Sequence, residues 1–297
     1  MPETSESIIF KRIAIIGIGL IGSSISRAIK MNALVDFVSV ASKSQKSLDT
    51  AVSLGIADSV TLNLGEAVKG ADIVMICSPL STYPDIMESI APNLKTGAIL
   101  TDVGSVKASV IRDLNPKLPT GVHLVPAHPV AGTEHSGPES GFAELFEGRW
   151  CVITPPVGTE QSAVDKIAKL WRGVGSNVEF MDPYHHDQVM AMTSHLPHLI
   201  AYTIVGTATD LEKSLMNEVI KYSAGGFRDF TRIAASDPTM WRDVMLNNKD
   251  AVLEMLQRFN EDLTALQRAI RWNEDDTLYE FFSKTRSIRR GVIEAKQ

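Results

Sequence analysis

A glycine-rich turn near the start of the chain most constrains what it can fold into. The apolar run over residues 12–17 leads directly into the sequence GIGLIG at residues 17–22, and a helical stretch at residues 23–31 follows. A strand, a GxGxxG turn and a helix in that order are typical of dinucleotide-binding folds. In such folds the N-terminus of the helix offers free N–H groups to phosphate oxygens. A purely structural glycine turn is the alternative.

Each glycine of this turn has a separate physical task in a dinucleotide site. Gly17 would permit the tight turn, Gly19 the approach of the pyrophosphate to the backbone, and Gly22 the close packing of helix on strand. We predict that these glycines, together with Leu20 and Ile21 between them, bind the cofactor.

Short strand-like and helix-like runs alternate up to Asp182. This alternation predicts an α/β fold in which helices cover both faces of a doubly wound, Rossmann-type parallel sheet. The predicted strands cover residues 12–17, 37–41, 71–77, 98–102 and 122–125, and the helices between them residues 23–31, 47–54, 83–94 and 106–114. Further strands at 150–154 and 178–181 and a helix at 164–174 would extend this part.

Helical periodicity replaces the strands after Asp182. The segment 199–211 is apolar nearly all round, so it must be buried in a core or in a subunit interface. Asp237-Pro238 is a helix-start signal. Apolar residues then recur at helical spacing and predict an amphipathic helix that faces a partner: Val252, Met255, Leu256, Phe259, Leu263, Leu266 and Ile270. We therefore expect two domains, a dinucleotide-binding domain at 1–182 and an all-helical domain for substrate binding and dimerisation at 183–297.

Composition excludes several classes of partner and location. Lysine and arginine total 29 and aspartate and glutamate 35, a net charge of −6, so nucleic acid and anionic membranes are not expected partners. Two cysteines provide no disulfide framework, which fits a cytoplasmic protein. No apolar run approaches the length of about 18 residues that a membrane span needs.

The end of the second predicted strand bears on the choice between NAD and NADP. An acidic residue there would bind the ribose 2′-hydroxyl. The sequence has Ser42, Lys43 and Ser44 instead, which could accept a 2′-phosphate, so NADP is slightly favoured and NAD stays open. Lys43 could also be a plain surface lysine. Ser78, directly after the third strand, is a further predicted cofactor contact.

Two polar residues follow later strands, where ligands bind in a doubly wound sheet. His128 comes directly after the predicted strand 122–125 and would face a bound nicotinamide. Histidine is the usual acceptor of a hydroxyl proton during hydride transfer, so we predict a catalytic role for it. Ser105 could cap the next helix, point into the ligand crevice, or do both.

The helical half contributes a second set of candidates. Ser194 could cap a helix, with Pro197 tolerated in its first turn. No cysteine or acid accompanies His195 and His198 at ligand spacing, so no metal site is predicted. Arg228 or Arg232 could grip a carboxylate, or could form a structural ion pair with Asp229. The pair His185-His186 is interpreted as a polar helix start.

Taken together, five motifs resemble the prephenate/arogenate dehydrogenase family of tyrosine biosynthesis. They are GIGLIGSS at 17–24, TDVGSVK at 101–107, HPVAGTEHSG at 128–137, SHLPH at 194–198 and GFRDFTRIAASDPTMW at 226–241. The resemblance covers roughly residues 11–290. It implies oxidative decarboxylation of prephenate to 4-hydroxyphenylpyruvate, or of arogenate to tyrosine, with reduction of NAD or NADP. It also implies a homodimer formed through the helical domain.

The resemblance assigns roles to individual residues. His128 would hydrogen-bond the C4 hydroxyl and assist its deprotonation, and Ser105 would help to orient both that hydroxyl and His128. Arg232 would bind a substrate carboxylate. Further residues at matching motif positions would line or order the substrate site: Thr133, Glu134, His195, His198 and Trp241.

Two alternatives remain open at this point. A β-hydroxyacid dehydrogenase or imine reductase could share the two-domain plan, but it would not require the HPVAGTE or SHLPH motifs. A dinucleotide sensor without catalysis is the other alternative. Many members of the family carry an acid at the end of the second strand, whereas this sequence has Ser42 and Lys43, which favours NADP slightly over NAD.

Overall fold

The computed structural model describes residues 8–209, 221 and 225–294. The chain forms two compact units, Met1–Lys249 and Asp250–Gln297. No helix in these described ranges is long and apolar enough to cross a membrane.

A six-stranded parallel sheet forms the centre of the first unit. Its strand order is β3-β2-β1-β4-β5-β6, in which the chain order reverses between β1 and β4. The strands are β1 Phe10–Ile16, β2 Val35–Ala41, β3 Ser59–Thr61, β4 Ile73–Ile76, β5 Ile99–Asp102 and β6 His123–Leu124. This confirms the predicted doubly wound α/β fold, and β3 is a short edge strand that the sequence did not predict. Ligands bind such sheets where the order reverses, beyond the carboxyl ends of the strands.

The chain then forms a second, separate sheet of three strands. It consists of β7 Ala127–Pro129, β8 Trp150–Ile153 and β9 Asn177–Phe180, in that order. β7 runs antiparallel to β8, and His128 pairs with Val152. His128 therefore lies within a strand of this sheet, whereas the sequence placed it in the turn after the last parallel strand.

Helices cover both faces of the large sheet, as predicted. The helices of the first 182 residues are α1 Leu20–Met31, α2 Gln45–Ser53, α3 Leu64–Ala67, α4 Tyr83–Ile90, α5 Lys107–Leu114 and α6 Gln161–Gly173. One apolar cluster packs Ile13, Ile15 and Ile25 with Trp171, and a second cluster on the other face packs Ile16, Val74 and Tyr83. Burial of these side chains supplies the main stabilisation of the sheet.

The remaining described chain is helical. Its elements are α7 Pro183–Met190, a π-helical turn Ala191–His195, α8 Leu196–Thr209, α9 Gly225–Thr231, α10 Pro238–Asn247, α11 Lys249–Trp272 and α12 Asp275–Glu294. Trp241 and Val244 of α10 belong to the same apolar cluster as Leu80 and Tyr83 beneath the sheet. The first compact unit therefore extends to Lys249, and the predicted domain boundary near Asp182 stays a prediction.

Three predicted helix starts have different outcomes. The Asp237 side chain accepts a hydrogen bond from the Met240 N–H and caps α10, which confirms the Asp-Pro signal. Ser194 does not cap a helix, because it lies inside the π-helical turn that joins α7 to α8. Ser105 does not cap α5 either: Val106 is the N-cap residue, and the first N–H groups of α5 bond to Asp187.

The predicted apolar helix at 199–211 is found as α8, although its last two residues lie outside the described ranges. Only Leu196 and Ala201 of α8 are buried within the single chain, and Ile204 is 37% exposed. Tyr202 of α8 packs, partly buried, against the second apolar cluster, and most other apolar side chains of this helix are only partly covered by the described chain. The predicted amphipathic helix is α11, in the second unit, where Leu263 and Ile270 are exposed.

Candidate active site

The glycine-rich turn has the geometry that a dinucleotide requires. Gly17 has a φ of +94°, and a Cβ there would lie 2.6 Å from the Cys77 carbonyl oxygen. A Cβ on Gly22 would collide with the Gly17 carbonyl oxygen, whereas a Cβ on Gly19 would meet no atom within 4 Å. Gly19 is also the N-cap of α1 and provides no side chain to bond the N–H groups of its first turn. Those N–H groups, of Leu20, Ile21 and Gly22, therefore fit the pyrophosphate of a dinucleotide.

The end of β2 carries hydroxyl groups and one cation. Ser42 Oγ accepts the Ser44 N–H at 3.2 Å, and Ser44 Oγ caps α2 through the Ser47 N–H. Lys43 is exposed between them. Ser78, after β4, donates its hydroxyl to the Ile16 carbonyl at 3.2 Å, so it lies beside the end of β1 and the glycine-rich turn.

His128 is buried beside a second histidine. His128 Nδ1 lies 2.8 Å from His186 Nε2, and His186 Nδ1 lies 2.8 Å from Asp187 Oδ1. The two rings meet edge to face, with centroids 5.1 Å apart. The Asp187 carboxylate also accepts the backbone N–H groups of Lys107 at 2.7 Å and Ala108 at 2.9 Å. The start of α7 is thus joined to the start of α5.

Burial sets the protonation of this cluster. It lowers the pKa of His128 well below the usual 6.5, and the neighbouring His186, Lys107 and His195 lower that pKa further. Burial is also the main cause of the lowered pKa of His186, although the Asp187 carboxylate opposes it. Both rings are therefore neutral at neutral pH, and a neutral imidazole can accept a proton.

A buried ion pair between Lys107 and Asp102 contacts the backbone of β7. Lys107 Nζ lies 2.6 Å from Asp102 Oδ2 and 2.8 Å from the Ala127 carbonyl oxygen, and both side chains are fully buried. Asp102 also accepts the Tyr83 hydroxyl at 3.1 Å and the Gly104 N–H at 2.8 Å. This network ties the strand that carries His128 to the end of β5. Ser105 lies in the same turn and is partly exposed, and no hydrogen bond among the described residues joins it to His128.

The helical residues His195, His198 and Trp241 lie together. The His198 ring stacks on Trp241 with centroids 3.5 Å apart, and His195 meets Trp241 edge-on at 6.1 Å. His195 Nδ1 lies 3.0 Å from Asn248 Nδ2. Burial lowers the pKa of His195 to about 4, and it also lowers the pKa of His198. His195 Nε2 and Trp241 Nε1 are buried without a hydrogen-bond partner in the described chain.

Arg232 and Glu134 form an ion pair between two segments of the chain that are distant in sequence. Arg232 Nη1 lies 3.1 Å from Glu134 Oε2, and the Arg232 side chain is 60% exposed. Arg232 also acts electrostatically on His198, whose pKa it lowers. Thr133 is exposed in the same loop as Glu134, and its hydroxyl accepts the His135 N–H at 3.2 Å. Arg228 lies apart from this pair and contacts Asp229 at 3.4 Å.

Sequence reasoning missed three residues of this site. His186 was interpreted as part of a polar helix start, and α7 does begin at Pro183, but His186 is fully buried against His128. Asp187 and Asn248 were not singled out. One signal was available for His186: on a helix that begins at Pro183, His186 and Met190 lie four residues apart on one face, and both are buried.

Comparison with known proteins decides the family. The model of the prephenate dehydrogenase nucleotide-binding domain matches residues 25–180, and that of the prephenate dehydrogenase dimerization domain matches residues 182–284. The chain belongs to the prephenate dehydrogenase family. It is therefore an NAD(P)-dependent dehydrogenase, and the hypotheses of another reductase or of a nucleotide sensor are not favoured.

Individual relatives agree with this assignment. The chain is 44% identical to a cyclohexadienyl dehydrogenase of Zymomonas mobilis, over 95% of this chain and 96% of the relative. It is 32% identical to a prephenate dehydrogenase of Bacillus subtilis, over 94% of this chain and 76% of the relative. The crystal structure of prephenate dehydrogenase from A. aeolicus, in complex with hydroxyphenyl propionate and NAD+, is similar with a TM-score of 0.88 and 33% identity, and the match covers 95% of this chain and 98% of that one.

Proposed function

We propose that this dehydrogenase oxidatively decarboxylates a cyclohexadienyl substrate, prephenate, arogenate or both, on the route to tyrosine. The observation that carries the proposal is a buried, neutral histidine, His128, in one compact unit with a dinucleotide turn and an exposed arginine, Arg232. A base, a hydride acceptor and a carboxylate-binding cation are the three elements that the reaction needs.

His128 acts as the proton acceptor in this proposal. When the C4 hydrogen leaves as hydride, the proton of the C4 hydroxyl passes to His128 and a C4 carbonyl forms. The bond between C1 and its carboxylate then breaks, and its electron pair flows through the ring to the C4 oxygen. That oxygen takes the proton back, so the products are a phenol and carbon dioxide with no net proton released. The bound NAD(P)+ would accept the hydride.

The other side chains bind the substrate and the cofactor and orient the reacting groups. Arg232 holds a substrate carboxylate, since a guanidinium matches its two oxygens in a bidentate arrangement. Ser105 orients the C4 hydroxyl. The substrate is enclosed by Thr133, Glu134, His195, His198 and Trp241. The cofactor is held by Gly17, Gly19, Leu20, Ile21, Gly22, Ser42, Lys43 and Ser78.

For the cofactor we propose NADP in slight preference to NAD. The support is the exposed Lys43 between two hydroxyl side chains, Ser42 and Ser44, where an acidic residue would instead favour the free ribose hydroxyl. An ammonium group and two hydroxyl groups suit a 2′-phosphate.

We further propose that the helical part forms a homodimer. The support is α8, most of whose apolar side chains are only partly covered by the described part of one chain, together with the description of the matching family model as a dimerization domain. Light scattering would test this, and a monomer at micromolar concentration would refute it.

A turnover assay with two substrates and two cofactors tests the proposed reaction. Purified protein receives prephenate or arogenate, each with NAD+ or NADP+, and the reduced nicotinamide is followed by its absorbance. Turnover in at least one combination is expected, and higher kcat/KM with NADP+ would support the cofactor proposal. Absence of turnover in all four combinations, from folded protein that binds cofactor, would refute the function.

A further inference from the structure

The chain of contacts behind His128 determines which of its ring nitrogens carries the hydrogen. A carboxylate can only accept hydrogen bonds. Because Asp187 Oδ1 lies 2.8 Å from His186 Nδ1, the hydrogen of that bond belongs to His186 Nδ1. In neutral His186 the other nitrogen, Nε2, then has a free lone pair and must accept.

The same logic extends one residue further. His186 Nε2 lies 2.8 Å from His128 Nδ1, so the hydrogen between them belongs to His128 Nδ1. Neutral His128 has only one ring hydrogen, and its Nε2 is therefore unprotonated. Without His186, either nitrogen of His128 could carry the hydrogen.

Asp187 is itself held in place from two directions. Its carboxylate receives the Lys107 and Ala108 N–H groups, and its backbone oxygen accepts the Asn248 amide at 2.8 Å. The side chains of His128, His186 and Asp187 are all less than 8% exposed. Water therefore does not compete for these hydrogen bonds, and the orientation of both rings is well determined.

We propose that His186 and Asp187 are positioning residues of the reaction: they hold His128 as the Nδ1–H tautomer and so leave Nε2 free to accept the substrate hydroxyl proton. This rests on the proposed role of His128. When His128 takes the proton, its Nδ1–H still points at His186 Nε2, and the negative charge of Asp187 lies behind that ring. The arrangement is analogous to the aspartate of a Ser-His-Asp triad, which sets the tautomer of its histidine and stabilises the imidazolium.

His186 variants test the proposal in the full-length protein. In His186→Phe a ring of similar size replaces the acceptor, and kcat is expected to fall about 100- to 1,000-fold with little change in the KM of the cofactor. In His186→Gln the amide oxygen can still accept the His128 Nδ1–H, so most of the activity should return. His185→Phe is the matched control, since His185 is the exposed neighbour on the same helix. Equal activity of His186→Phe and the control would overturn the proposal.

A spectroscopic measurement separates this proposal from the proposed function. Ring nitrogen shifts of ¹⁵N-histidine distinguish protonated from unprotonated nitrogens without any substrate, and His128→Asn assigns the His128 signals. We expect an unprotonated Nε2 and a protonated Nδ1 in the wild type, and a mixture of tautomers in His186→Phe. A protonated Nε2 in the neutral wild-type ring would overturn the proposal even if the enzyme turned over both substrates.

The pH profile provides a third readout. The groups that act on His128 are His186, Lys107 and His195, and those that act on His186 are Asp187, Lys107 and Asp102. His186→Phe removes the acceptor of the His128 Nδ1–H and puts an apolar ring in its place, so protonated His128 loses stabilisation. The acid limb of the kcat/KM profile should therefore shift to lower pH in His186→Phe and stay in place in the His185→Phe control. An unshifted acid limb in His186→Phe would contradict the proposal.

Discussion

The side-chain amide of Asn248 determines which ring nitrogen of His195 carries the hydrogen. Asn248 Nδ2 donates to the Asp187 carbonyl oxygen at 2.8 Å, so the atom that faces His195 Nδ1 at 3.0 Å is an N–H donor. His195 Nδ1 is then the acceptor, and its hydrogen is on the buried, unpartnered Nε2. His195 thus presents a neutral donor, whereas His128 presents an acceptor.

Reversal of this hydrogen bond should impair catalysis. In Asn248→Asp the new carboxylate accepts from His195 Nδ1, raises the pKa of His195 and removes the donor from neutral Nε2. We expect kcat/KM for the substrate to fall roughly 10- to 100-fold, the value of one hydrogen bond to a charged or polar partner. Steady-state kinetics measures this, with Asn260→Asp on the exposed face of α11 as control. An unchanged kcat/KM would show that the His195 donor does not contact the substrate.

Replacement of the proposed base gives the strongest kinetic prediction. His128→Asn keeps a polar side chain but cannot take up a proton, so kcat should fall about 100- to 10,000-fold. Cofactor affinity, measured by fluorescence titration, should stay nearly the same because the glycine-rich turn is untouched. His185→Asn is the control, and normal turnover by His128→Asn would remove His128 from the mechanism.

Arg232 should affect binding more than turnover. A carboxylate contact made equally in the ground state and the transition state raises KM when it is lost and leaves kcat nearly unchanged. For Arg232→Ala we expect a KM about 10- to 100-fold higher, since hydrogen bonds to charged groups contribute about 1.5–3 kcal/mol. Arg228→Ala, in the same segment and paired with its neighbour Asp229 among the described residues, should change little. The assignment fails if both variants have the KM of the wild type.

The buried Lys107–Asp102 pair predicts a large effect on stability. Lys107→Met leaves the fully buried Asp102 carboxylate without its cation, which should lower the free energy of unfolding by about 3–5 kcal/mol. Lys117→Met removes an exposed pair with Glu88 and should lower the free energy of unfolding far less than Lys107→Met does. Urea unfolding followed by circular dichroism compares the two. Equal costs would mean that the pair at Lys107 is not buried as described.

Stability should also depend on the protonation of His195. Its pKa is about 4 in the folded protein against an ordinary 6.5, so the unfolded chain binds the proton more tightly. The free energy of unfolding that this difference in pKa contributes is present in full above pH 6.5. It is lost as the pH falls from 6.5 towards 4. Asp187 opposes this shift, whereas burial, His186 and His198 cause it.

The free energy of unfolding should therefore fall by about 2 kcal/mol more in the wild type than in His195→Gln between pH 7 and pH 5. Urea titrations at both pH values measure the difference, with the exposed His135→Gln as control. A difference that is independent of pH would show that His195 is not held neutral in the folded protein.

Local patterns predicted the glycine-rich turn and the strands and helices around it well. The GxGxxG turn depends on glycines only a few residues apart, and the fold places them as expected, with Gly17 at a φ that favours glycine. Strand and helix positions also followed from short-range periodicity, so β1, α1, β2 and β5 lie close to the predicted residues. The three-residue strands β3 and β7 were missed because so few residues carry too little periodic signal.

What the sequence by itself determined is the type of fold, the cofactor turn and the family, because each depends on residues that are adjacent or regularly spaced. Only the tertiary structure decided the partners of the catalytic candidates. His128 and His186 are 58 residues apart, and Asn248 and His195 are 53 apart. Such pairs form when α7 and α10 pack onto the sheet, and the gain from that packing comes from buried apolar area, which does not reveal which polar atoms will meet.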